Sequence, residues 1–420
     1  MTSTGDVLRV PSFALFWSAA TLRMFGTTIA GVGVQVLMVT VLQATPVEIS
    51  VLSALSVVPY LFLGLVVGAL MDRWRRQRTL VLTSVGRAIA LGSIAALVLL
   101  DALTIWSLGA AILVLGVLTL FADSAAQPFL PHVVPRRSLV RANARLGQSE
   151  TVAATAGPAL GGALFNLLGA PILFAIDAVI SAVAAVLQAR IRVTETAAPR
   201  RVQGRHLGRE IVEGMRYTYR HRMLLPLALS VHVWFLANSI VVTVFAVFVL
   251  RELHLPAWAF GIALACAGLG GFLGAVFAPR IGDRFGAGRA ILLGRALVVF
   301  PWLALAVLPI DAETSLGVLI VVVSSAQFVY GLSMGIEDAN DIGYRQAVAP
   351  DEIQGRMNST IRTTNRVIFF FGALLAGVLA TYLGYHVTLG VAASVFAIAA
   401  LVVAVSPLRN ARHGDADLAV

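Results

Sequence analysis

Lysine is absent from this chain: all 31 basic residues among its 420 are arginine. A Gly-x-x-x-x-Gly-Lys phosphate loop is therefore impossible, which rules out that route to ATP as an energy source. Codon bias in a GC-rich genome is the plain explanation, and the abundant Ala, Gly, Val and Leu agree with it. Cysteine occurs once, as Cys266 inside a hydrophobic segment, so the chain can form no internal disulfide and no cysteine metal centre. No His-Glu-x-x-His or comparable ligand set is present, and neither a metal, a cofactor nor an enzymatic reaction is expected. Charge is scarce too: Asp, Glu, Lys and Arg make up 12% of residues against 59% hydrophobic, with a mean hydropathy of +0.89. A soluble domain could not enclose so much apolar surface, so the bilayer must act as its solvent. The isoelectric point near 10.8 would suit a nucleic-acid binder, but the arginines sit in short loops between apolar runs. Membrane topology accounts for that placement better, and no nucleic-acid partner is expected. A cleavable signal peptide is not evident, because residues 1–11 hold one Arg and the apolar stretch after them is too long.

What the chain does have is apolar length. Stretches able to cross about 30 Å of hydrocarbon, roughly 20 residues each, fall near 12–42, 48–71, 79–100, 104–126, 144–168, 171–190, 224–250, 258–279, 290–309, 315–337, 358–383 and 386–407. The loops between them alternate in charge. Arginines crowd 72–78, 128–145, 190–222 and 280–289, whereas 43–47, 101–105, 169–170, 310–314 and 384–386 carry no basic residue. By the positive-inside rule the arginine-bearing loops and both termini face the cytoplasm of a bacterial cell membrane. Residues 191–222 join an N-terminal bundle, 1–190, to a C-terminal one, 223–420. Their first part is a turn-prone linker; the second, from Leu207 to Arg222, sets Leu207, Ile211, Met215 and Tyr219 on one face of an amphipathic surface helix.

The two halves repeat each other in polar residues and glycines. Asp72-Arg73 returns as Asp283-Arg284. Asp123, Pro135, Arg141, Asn143, Gly157, Gly162 and Gly169 return in one register as Asp338, Pro350, Arg356, Asn358, Gly372, Gly377 and Gly384. Shared leucines would mean little here; a shared Arg-x-Asn flanked by Asp, Pro and three glycines points to duplication. Long internal symmetry in so apolar a chain marks a transporter of two homologous bundles with its substrate site between them.

The end of the second stretch reads Gly68-Ala-Leu-Met-Asp72-Arg73-Trp-Arg75-Arg76-Gln77-Arg78, which resembles the loop signature of the major facilitator superfamily. Gly157-Pro158-Ala-Leu-Gly161-Gly162 resembles the core of the motif that this superfamily associates with antiport-type exporters. Pro131 to Pro135 with Leu139 to Asn143, Gln346 to Asn358, and the helix Glu210 to His221 are similar to the subfamily of enterobactin exporters and macrolide efflux proteins. The resemblance runs from about residue 10 to 408. Many members of that subfamily carry Asp after a Gly in the first span; here Thr27 follows Gly26. It implies an all-α membrane fold of twelve helices in two pseudo-symmetric six-helix bundles, working by alternating access.

A conformational gate is expected from Gly68, Asp72, Arg73, Arg76, Asp123 and Arg141, with Asp283, Arg284, Asp338 and Arg356 as its second-half counterpart. Carboxylate–guanidinium bonds of this kind are strong, directional and broken when helices slide. The alternative is that these are positive-inside anchors, which is the better reading for Arg75, Arg78, Arg136 and Arg137. Gly157, Pro158, Gly161 and Gly162 either bend the fifth span to shape a cavity or simply allow close packing. Ionisable groups inside spans are expensive and face cavities by default. Arg23 and Glu150 are expected to pair, with Glu150 able to carry a proton; Asp177 is expected near the outer face and hydrated, and Arg87 and Arg295 as snorkelling anchors. Gln35, Asn238, Gln327, Tyr330, Asn365, Arg366 and Phe369-Phe370-Phe371 suit a large apolar pocket with scattered polar groups. The function expected is proton-driven export of a small amphiphilic compound by a monomer in the lipid bilayer. Uptake or lipid translocation on the same scaffold, and a sensor without transport, are the alternatives.

Overall fold

A computed structural model describes residues 7–71, 74–193, 207–309 and 314–412. Ten helices among them are long and apolar enough to cross a membrane. Two of the ten, Leu139–Ala189 and Glu352–Val405, run 51 and 54 residues, lengths that would exceed 70 Å, by about 1.5 Å per residue, were they straight. Neither is. Gly169 (φ 77°, ψ 171°) and Gly384 (φ 76°, ψ 170°) break them, giving twelve span-length segments among the described residues. That backbone conformation is open almost only to glycine, which is why a single residue can turn the chain back. The spans are numbered 1 (Pro11–Val41), 2 (Pro46–Gly64, continued to Met71), 3 (Arg76–Leu99), 4 (Ile105–Val133), 5 and 6 (the two parts of Leu139–Ala189), 7 (Leu224–Glu252), 8 (Ala257–Phe285), 9 (Ala287–Ala306), 10 (Leu316–Val348), and 11 and 12 (the two parts of Glu352–Val405).

Replacing Gly384 by Ala tests the turn cleanly, because no neighbouring atom lies within 4 Å of the added Cβ. The whole cost is then backbone strain, about 1–3 kcal/mol. It is expected as a lowered melting temperature of the purified protein in detergent, with Gly355→Ala, which also meets no atom, as the reference.

Duplication reaches down to single hydrogen bonds. Spans 1 and 7 both end in a π-helical turn, Leu37–Val41 and Phe248–Glu252. Each is followed by a residue at positive φ, Gln43 (48°) and His254 (53°). Matching bonds close the two ends, Ala44 N to Met38 O at 2.9 Å and Leu255 N to Val249 O at 3.0 Å. Spans 4 and 10 both start on a hydroxyl N-cap, Thr104 and Ser315, which satisfies an orphan amide of the first turn.

The chain forms two compact units: Met1–Ala44, Leu55–Arg201 and Pro256–Ala265 make unit 1, and Thr45–Ala54, Val202–Leu255 and Cys266–Val420 make unit 2. In unit 1 a buried cluster gathers Phe13 and Phe16 of span 1, Met71, Leu80, Phe129 of span 4 and Ile191. In unit 2 the corresponding cluster gathers Leu224, Leu227, Ile291, Tyr344, Met357, Ile361 and Leu408. On the spans, large apolar side chains such as Phe62, Ile89, Val179 and Leu401 remain exposed, as lipid-facing positions require.

Helix Leu207–Arg220 belongs to unit 2. Met215, on the apolar face of this surface helix, is exposed. Gly214 and Thr218 are buried instead, and a Cβ on Gly214 would lie 2.9 Å from the Arg356 carbonyl. Small residues win that face because they let the helix backbone approach span 11 closely. Side chains of Leu207 and Ile211 lie outside the described residues. Just beyond the helix, burial pushes the His221 imidazole down and so favours its neutral form. Its Nδ1 accepts from the amides of Met223 and Leu224 at 3.2 and 3.3 Å, capping the start of span 7.

Candidate functional site

Several ionisable groups inside the spans are joined in pairs, and the pairs are not all those expected. Arg23 of span 1 donates to Asp123 of span 4 at 3.0 Å, not to Glu150, which is exposed. Side-chain exposures of 21% and 49% make this a surface pair of modest strength. Asp177 of span 6 is not hydrated: it is fully buried, and its Oδ2 accepts from Arg87 of span 3 at 3.0 Å. Arg87 is accordingly no snorkelling anchor. Nor is Arg295 of span 9, which donates to Glu337 of span 10 at 2.7 Å with both side chains 3% exposed. The Trp234 ring of span 7 stands over that guanidinium, 5.4 Å from centroid to Cζ.

Snorkelling fails for a geometric reason. Arg87 sits in the twelfth position of span 3, buried, with its guanidinium held by the Asp177 carboxylate. Bonding a carboxylate inside the unit costs less than an uncompensated charge in an apolar surround. Gly26 makes room for one of these pairs, since a Cβ there would collide with Asp177 Oδ1. Gly294 does the same for the other: its Cβ would lie 2.7 Å from that of Glu337. One turn on from Glu337, Asp341 holds Arg345 at 2.9 Å.

The expected gate is only partly in view. Asp72 and Arg73 lie outside the described residues, and of Gly68 only the helical backbone is described. Arg76 opens span 3 as its first residue. Arg141, Asp283, Arg284 and Asp338 are exposed, and Arg284 stacks over Phe285 at 5.4 Å. Arg356 bonds Glu213 of the linker helix at 2.7 Å. Gln77 donates from Nε2 to the carbonyls of Gln188 and Ile191 at 2.9 and 2.8 Å. It thereby caps the end of span 6, whose last carbonyls lack helical partners.

Glycines of the antiport-type motif pack tightly. A Cβ on Gly157 would collide with the Thr28 hydroxyl, one on Gly161 would lie 2.9 Å from the Ile29 carbonyl, and one on Gly162 would lie 3.0 Å from Gly261 Cα. Pro158 is buried within the same turn. The second half copies this arrangement, Gly372 against Ser239 and Gly377 against Ser50.

Of the expected cavity-lining groups, Asn238 accepts from Tyr330 at 2.6 Å. Asn365 bonds His232 at 2.6 Å, and His232 bonds Tyr219 of the linker helix at 2.8 Å. Gln327 is buried, while Gln35 and Arg366 are half-buried. No cluster of three or more His, Cys, Asp or Glu residues able to hold a metal occurs among the described residues.

A family model described as transmembrane secretion effector matches residues 2–419. An MFS-type transporter of Mycobacterium bovis and one of Mycobacterium tuberculosis are each 36% identical over 125 residues, 30% of this chain and 27% of theirs. Among solved structures, a variant of the nucleoside transporter NupG superposes with a TM-score of 0.76 at 13% identity, covering 94% of this chain and 99% of that one. A bacterial homologue of the human lysosomal transporter Spinster gives 0.73 at 15% identity, covering 95% and 97%. A bacterial homologue of the iron transporter ferroportin gives 0.71 at 15% identity, covering 95% and 99%. At such identities the likeness speaks for the fold alone.

Proposed function

Because the chain belongs to the transmembrane secretion effector family of major facilitator transporters, we infer that it exports small amphiphilic compounds by alternating access, driven by proton entry. The observation that carries this reading is the placement of Arg87 with Asp177 and of Arg295 with Glu337 deep within span-length apolar helices. Ionisable groups at such depth are costly, and in transporters they mark ion and proton pathways. Bonds between Asn238 and Tyr330 and between Asn365 and His232 occupy these polar groups. That favours an amphiphile over a sugar, which needs many free hydrogen-bonding partners. Within the superfamily the reading sits with drug, antibiotic and siderophore exporters such as the enterobactin and macrolide efflux proteins. The repeated Asp-Arg loops serve it as the conformational gate, on the cytoplasmic side of the cell membrane.

Ethidium accumulation tests this. Cells expressing the protein are expected to hold less ethidium than cells with empty vector, and an uncoupler that collapses the proton gradient should erase the difference. Higher accumulation would mean uptake, and equal accumulation would remove drug export. Asp72→Asn should lose the effect while reaching the membrane at normal levels; a sensor without transport would show no flux to lose.

A further inference from the structure

We propose that Asp177 is the proton-carrying carboxylate of this transporter, reached through a small polar cavity between Arg23 and Arg87. The proposal rests on the proton-coupled reading above and names the group that performs the coupling. Asp177 is the one ionisable residue of span 6 between the Gly169 turn and Arg190. Its Oδ2 is bonded to Arg87 Nη2, while Oδ1 is enclosed without a hydrogen-bond partner. Span 1 meets that bare oxygen with Gly26, the only residue type whose backbone leaves space for it. A buried acceptor with no donor is expensive to keep. A proton bound at Oδ1 removes the buried charge that makes this orphaned oxygen costly.

Beside Arg87 lies a cavity of about 10 Å³ lined by Arg23, Arg87, Thr83, Ser84, Thr119 and apolar neighbours. That is room for about one water molecule, in a polar setting that can hold one. Arg23, also in its lining, is bonded to Asp123, whose side chain is 49% exposed. An exposed carboxylate, a guanidinium, a polar cavity, a second guanidinium and a buried carboxylate thus follow one another within unit 1. The remaining ionisable groups of the packed helices are Arg76 and Arg78 at the start of span 3, His132 at the end of span 4, and Arg141, Arg145 and Glu150 of span 5. The three on span 5 are exposed.

A hydronium entering past Arg87 gives up one proton, its O–H bond breaking as the Oδ1–H bond forms, and leaves water, neutral Asp177 and a still-charged Arg87. No electron changes hands, and release runs the step backwards. With Asp177 neutral, Arg87 loses its counter-ion, and the remaining carboxylate of the set is Asp123. The charge-assisted bond between spans 3 and 6 weakens, and the two helices are freed to shift. Proton uptake is thereby linked to a helix movement that a transport cycle can use.

Infrared difference spectroscopy of the full chain in lipid nanodiscs, between acidic and neutral pH, tests the assignment without any substrate. Wild type should show the C=O band of a buried protonated carboxyl that titrates with pH. Asp177→Asn should lose that band, whereas Asp123→Asn and Glu337→Gln should keep it. Arg87→Gln should shift its midpoint, because the guanidinium bonded to Oδ2 is gone. A band that survives Asp177→Asn, or a carboxylate that stays ionised throughout, would overturn the proposal. Should Asp177→Asn fail to fold, an unmoved midpoint in Arg87→Gln would overturn it equally. In proteoliposomes, Asp177→Asn should still let ethidium equilibrate but no longer accumulate it against an imposed pH gradient. Unaltered accumulation would also overturn the assignment. Absence of ethidium movement in wild type would instead sink drug export, and the infrared result would still decide Asp177.

Discussion

Replacing Arg295 by methionine is expected to destabilise the protein by about 3–5 kcal/mol, the cost of leaving one partner of a buried pair charged and alone. Glu337 is 2% exposed and its Oε1 is held by Arg295 at 2.7 Å. Its Oε2 and the Arg295 Nε have no hydrogen-bond partner, so the pair only partly offsets its own desolvation. The double variant Arg295→Met with Glu337→Met should therefore recover most of the loss, since an apolar replacement of similar volume is often neutral or better. Thermal melting of the purified variants in detergent reads both effects. A single variant that melts with wild type would show that the pair does not brace spans 9 and 10. A double variant as unstable as the single one would show that packing around Trp234, rather than charge, sets the cost.

Gly162→Leu should abolish ethidium efflux and lower the yield of folded protein. The added side chain would start 3.0 Å from Gly261 Cα, where backbone faces backbone and neither helix has a flexible tip that could move aside. Overpacking of this kind costs about 1–3 kcal/mol, occasionally more, and here it also props apart two helix backbones that meet at Gly162 and Gly261 beside the carbonyls of Pro158 and Ala257. Gly31→Leu is the matched control, because nothing lies within 4 Å of its Cβ. Normal efflux by Gly162→Leu, at wild-type membrane levels, would show that this close approach is dispensable.

The spans, their number and the turns at Gly169 and Gly384 could be read before any coordinates, because each depends on a local run of apolar residues or on one glycine. The duplication was equally open to view, since its polar and glycine residues keep one register. Pairing was not. Arg87 and Asp177 lie 90 residues apart, and Arg23 and Asp123 lie 100 apart, so no spacing rule links them. Glu150 looked the natural partner for Arg23 by depth along the chain, but depth says nothing about which way a side chain faces around its helix. The linker helix could be read as amphipathic, but its close approach to span 11 through Gly214 could not.

The amino-acid sequence alone determined that this protein lives in a membrane, crosses it twelve times and is built from a repeated half. Hydropathy and backbone conformation are properties of short segments, and they act wherever the segment lies. Only the tertiary structure decided which charges neutralise each other and which glycines touch. Those outcomes depend on helix rotation and crossing, set by the packing of the whole unit, and a one-dimensional order of residues does not carry them.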